Sequence, residues 1–68
     1  MDTYYAEIVE TEVEETDLPQ FMRVEVSNEA EASKVLSDLE PYFSGRKYEK
    51  RFHIHKHRTK MPCEVKVL

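Results

Sequence analysis

Two-residue alternation opens the chain: Tyr4, Ala6 and Ile8 fall on one side of an extended segment, and Tyr5, Glu7 and Val9 on the other. This is the period of a β-strand, and apolar residues on both sides near its start predict a strand that is covered on two sides or lies centrally in its sheet. The alternation continues with the acids Glu10, Glu12 and Glu14 on one side and Thr11 and Val13 on the other, so the strand is predicted over residues 3–14. Thr16-Asp17-Leu18-Pro19 ends it, because Pro19 lacks a ladder donor and pushes Leu18 toward extended or turn geometry. A second strand follows over residues 21–26, with Met22, Val24 and Val26 facing one way and Phe21, Arg23 and Glu25 the other.

The period then changes. Ala32, Val35, Leu36, Leu39 and Phe43 recur at helical spacing and form one apolar stripe that must lie on the sheet. Asn28 and Glu31 sit at the spacing of a capping box, and Glu29 and Glu31 favour a helix start through the dipole. Pro41 disfavours helical geometry at Glu40, so the regular helix is predicted to stop near Leu39 or Glu40 and Ser44-Gly45 to close the segment.

Alternation returns over residues 46–58 as a third strand. Tyr48, Phe52 and Ile54 form its apolar side; Lys47, Glu49, Arg51, His53, His55 and His57 form the other. A short fourth strand over residues 63–68 is expected to turn Cys63, Val65 and Val67 to the core and Glu64 and Lys66 to solvent. The order ββαββ predicts an α+β fold with one helix packed on one face of a four-stranded sheet. The same order resembles the β-grasp architecture of ubiquitin-like proteins, which implies a mixed sheet with the first and last strands parallel neighbours, although the sequence ends Val65-Lys66-Val67-Leu68 where a Gly-Gly tail would stand. The alternative is a fully antiparallel sheet that sets Glu10–Glu15 beside the basic third strand.

Size changes what this fold can do. A single domain of 68 residues has a thin core and little room for an enclosed pocket, which argues against an enzyme. The formal net charge of −4 conceals a division. Residues 1–40 carry twelve acids against Arg23 and Lys34, and residues 41–68 carry eight Lys or Arg against Glu49 and Glu64. Binding to nucleic acid would therefore be local to the second half. Cys63 is the one cysteine, so no intrachain disulfide forms. Together with the lack of a signal-peptide pattern or a long apolar run, this leads to an expectation of a cytoplasmic protein without a membrane partner.

Three chemistries suit the third strand. Lys47, Arg51, His53, His55, His57, Arg58 and Lys60 could follow the phosphates of RNA or DNA, with Tyr48 stacking on a base; the plainer reading is that these charges pair with the glutamates of the first strand. A protein partner or a second copy could add to an exposed strand edge. His53 and His55 could hold Zn²⁺, but His57 lies about 13–14 Å from His53 along an extended strand and cannot easily join them, and Cys63 is expected on the opposite side of the sheet. Catalysis by paired histidines lacks recognisable partners and a site that excludes water. The expectation is a non-enzymatic interaction protein without cofactor, with nucleic acid as the first candidate partner and a protein as the second.

Overall fold

The computed structural model describes residues 2–57 and 63–68. β1 (Asp2–Glu10), β2 (Phe21–Val26), helix α1 (Glu29–Leu39), a 3₁₀ turn (Glu40–Phe43), β3 (Tyr48–Lys56) and β4 (Glu64–Val67) follow in chain order. The four strands form one antiparallel sheet in the order β2-β1-β3-β4, and α1 packs on one face of it. The fold is therefore α+β with the antiparallel arrangement. β1 is central in the strand order, the second of the two arrangements its apolar residues predict, and β4 pairs with β3 rather than beside β1, so the parallel contact of a β-grasp sheet does not form.

The helix begins as its sequence dictates. Asn28 is extended and its Oδ1 accepts the Glu31 backbone N–H at 2.9 Å. Glu31 in turn accepts a backbone N–H at 3.1 Å, but from Ser27, one residue before the cap. Beyond Leu39 the chain tightens into the 3₁₀ turn with Pro41 in its first positions, where a missing N–H costs nothing. Gly45 then takes a positive φ of 79°, a conformation open to glycine without strain, and turns the chain into β3.

Ala32 and Leu36 from the helix and Phe43 from the turn meet Ala6, Ile8, Val26 and Phe52 from three strands to make the buried core. Tyr4, Met22, Val35, Leu39, Tyr48 and Ile54 pack around it. Tyr4 stacks on Phe52 with ring centroids 5.7 Å apart. Among the described residues no buried side-chain nitrogen or oxygen is left without a hydrogen bond, as a core this small requires. No helix is long and apolar enough to cross a membrane among them.

β1 stops at Glu10 rather than continuing to Glu14. Glu10 closes this end: its Oε1 accepts the Gln20 backbone N–H at 3.2 Å and its Oε2 the Arg46 guanidinium at 2.9 Å. Both bonds favour the carboxylate, and the Arg46 guanidinium first, then the Gln20 N–H, hold the Glu10 carboxyl below its usual range. Thr11 still donates its N–H to Lys47 at 2.9 Å, after which the chain leaves the sheet. Among the described residues, Glu10 and Glu12 are the acids of residues 10–15 that reach the basic segment, through Arg46 and Lys47. The rest of β3 lies beside Asp2–Val9.

Candidate functional site

The antiparallel register sorts the side chains of β3 by parity. Tyr48, Lys50, Phe52, Ile54 and Lys56 share the helix side with Tyr4, Ala6 and Ile8; Glu49, Arg51, His53 and His55 share the open side with Thr3, Tyr5 and Glu7. The same register places β4 opposite to expectation. Lys66 is paired with Phe52 and Glu64 with Ile54, so these two lie on the helix side and Val65 and Val67 lie on the open side. Cys63, one step earlier, follows the parity of Val65.

The physical reason is coverage. α1 packs on β1 and reaches β2 and β3, but makes no comparable contact with β4. An apolar residue of β4 would find no core beneath it on that side. Charges take the positions instead: Lys66 Nζ lies 2.7 Å from Glu29 at the start of the helix, and Lys56 Nζ 2.9 Å from Glu64. The Glu64 carboxylate holds the Lys56 ammonium above its ordinary range, as Glu40 does for Lys50 at 2.8 Å.

On the open side, Glu7 is the organising group. Its carboxylate is buried and accepts from Arg23, with Nη2 at 2.7 Å and Nε at 2.8 Å, and from His53, with Nδ1 at 2.9 Å. The Arg23 guanidinium lies over two rings, 5.0 Å from the centroid of Tyr5 and 5.4 Å from that of Phe21. The Tyr5 ring meets His53 edge-on at 6.0 Å. His53 is thus fixed from two sides. His55 stands directly across from Cys63, its Nδ1 3.0 Å from Sγ, and ring donors of His53 and His55 and the Cys63 sulfur all lie within 4.8 Å of one another.

Of the predicted nucleic-acid residues that are described, Arg51, His53 and His55 share the open side of the sheet. Tyr48 points to the helix side, its ring 5.8 Å from Phe43. Lys47 pairs with Glu12 at 3.1 Å and Arg51 with Glu49. His53 is engaged by Glu7, while His57 bonds Thr3 and its ring lies 4.6 Å from that of His55. Arg58 and Lys60 lie outside the described residues. What the structure brings together is His53, His55 and Cys63, and a fixed strand register was the missing signal that would have placed Cys63 beside the histidines. A separate cleft of about 390 Å³ opens at the far end of the sheet between Glu10, Glu12, Glu14, Asp17 and Arg46. No family model, curated protein or solved structure matches this chain.

Proposed function

We propose that this chain is a small non-enzymatic interaction module that takes an extended segment of a protein partner along the free edge of β4. The observation that carries this reading is the state of that edge. Leu68 donates its N–H to Lys50 at 2.8 Å, and in an antiparallel ladder alternate residues exchange both backbone bonds. Lys66 and Glu64 therefore turn their backbone groups to β3, and Val65 and Val67 turn theirs outward. The same two residues are 48% and 60% exposed and lie on the side of the sheet the helix leaves uncovered. A partner strand would find backbone donors and acceptors along the edge and two apolar side chains beside it, the combination used in strand addition.

Nucleic acid is the second reading, and the ion pairs weigh against it. Arg46, Lys47, Lys50, Arg51 and Lys56 each already lie against a carboxylate, so phosphates would have to compete with Glu10, Glu12, Glu40, Glu49 and Glu64. In the strands of the open side, Glu7, Glu25 and Glu49 outnumber Arg23 and Arg51. Among the described residues, a surface of this sign does not favour a polyanion.

The test is selection of a displayed random-peptide library against the folded chain, followed by amide hydrogen exchange with the selected peptide. The expected result is peptides with alternating apolar residues that slow exchange at Val65 and Val67 and lose binding to Val67→Pro. Proline is tolerated at an edge position whose N–H points away from the sheet, so this variant keeps the fold. Absence of selected peptides, or binding indifferent to Val67→Pro, overturns the reading. Saturable binding of a single-stranded oligonucleotide at about 0.15 M salt, abolished in His55→Glu, would replace it with the nucleic-acid reading.

A further inference from the structure

We infer that His53, His55 and Cys63 form a Zn²⁺ site on the open side of the sheet, with Glu7 positioning His53. The inference starts from the strand register. His53 and His55 project from the same side of β3, and Cys63 stands across from His55 and diagonal to His53, so adjacent strands deliver three donors to one point. Their donor atoms lie within 4.8 Å of one another, and the closest pair, His55 Nδ1 and Cys63 Sγ, is 3.0 Å apart. Donors around a tetrahedral zinc, at 2.0–2.3 Å from the ion, stand about 3.3–3.6 Å apart. Rotations about the side-chain torsions of His55 and Cys63, which lie at the protein surface, close that difference.

A second feature is independent of the cluster. Nδ1 of His53 faces the buried Glu7 carboxylate at 2.9 Å, which favours a proton on Nδ1 and a free lone pair on Nε2. A carboxylate behind a ligating imidazole is the usual outer partner of a zinc site and fixes both the tautomer and the ring plane. Arg23 and Tyr5 hold that carboxylate and that ring in turn. Among the described residues, the arginines on this side of the sheet are paired, Arg23 with Glu7 and Arg51 with Glu49.

The donor set selects the ion. One thiolate and two imidazoles suit zinc, whereas oxygen-preferring cations such as Mg²⁺ and Ca²⁺ find no carboxylate among these donors. A cysteine beside a histidine also serves nucleophilic catalysis. Here, however, a second imidazole converges on the same point, and an open sheet face does not exclude water. Binding would convert the Cys63 thiol to a thiolate, with its proton released to solvent, and three protein donors would leave the fourth position of the ion to water.

The test is optical titration of the full chain with Co²⁺ as a spectroscopic substitute, then displacement by Zn²⁺. One equivalent should produce the visible bands of tetrahedral cobalt together with thiolate-to-cobalt charge transfer, and zinc should abolish both. Cys63→Ser should remove the charge-transfer band, and His55→Ala should weaken binding by at least tenfold. Glu7→Gln should keep the band and weaken binding by about 10- to 100-fold, whereas Lys34→Ala, exposed on the helix at the other face of the sheet, should leave both unchanged. Circular dichroism of each variant separates loss of the site from loss of the fold. No saturation at one equivalent, a spectrum without charge transfer, or equal affinity in Cys63→Ser would overturn the assignment.

Discussion

On the side of β3 that meets the helix, Phe52 is buried among Ala6, Ile8, Leu36 and Phe43, and the flanking lysines Lys50 and Lys56 are pinned by Glu40 and Glu64. On the other side, the same strand presents Arg51, His53 and His55 on the face that the helix leaves uncovered, held in place by Glu7 and Glu49. The comparison separates two jobs within nine residues. Stability comes mainly from the covered side, where apolar area leaves water. On the other, polar side chains are fixed by hydrogen bonds and still reach solvent.

The sharpest way to break this division is to empty each side in turn. Phe43→Ala should cost about 3–5 kcal/mol, a large share of the roughly 3–10 kcal/mol expected for a chain of this length, and should leave much of the protein unfolded at room temperature. Val65→Ala on the open side should stay within about 0.5 kcal/mol. Urea midpoints of the two variants measure the contrast directly, and similar losses would refute it.

Glu7 is the intermediate case, a buried acid on the open side. Glu7→Leu removes the acceptor shared by Arg23 and His53 and should cost about 1.5–3 kcal/mol, the range for hydrogen bonds to a charged group. It should also increase the mobility of the His53 ring, seen as loss of its NMR contacts with Tyr5. A variant as stable as the parent, with His53 still ordered, would show that Glu7 does not organise this face.

Acid should act through Glu10. Because its folded pKa lies below the unfolded one, the unfolded chain binds the extra proton first, and stability rises with pH through the carboxylate range. That contribution is present above the ordinary glutamate pKa and is lost as pH falls through the folded value. Glu10→Gln should flatten the acid limb of stability against pH. Lys50 and Lys56 have the opposite sign: their raised values contribute below the ordinary lysine range, and the contribution is lost as pH rises through the folded values. The smallest effect belongs to Lys47→Ala. Its pair with Glu12 is exposed on both partners, and the change should stay within about 0.5 kcal/mol.

Much of the covered side was legible in the sequence because its elements carry their own local signals. Asn28 and Glu31 mark the helix start, Pro41 the end of its regular part, and the stripe from Ala32 to Phe43 the buried side. The open side was legible only in part. Alternation along residues 63–68 defines two sides but not which one faces inward, and assigning the valines inward assumes a helix above them. That helix lies over β1, so Lys66 and Glu64 take the helix side through Glu29 and Lys56, and Cys63 arrives beside His55. The early end of β1 was hidden for a similar reason, since the bonds that hold Glu10 come from Gln20 and Arg46, distant in sequence.

The most direct measurement is the rate at which a thiol reagent modifies Cys63 in the native chain, with and without one equivalent of Zn²⁺. Cys63 on the open side, next to His55, predicts reaction without prior global unfolding, suppression by zinc, and loss of that suppression in His55→Ala. Reaction only through global unfolding would place Cys63 in the core, and a rate indifferent to zinc would contradict the metal site.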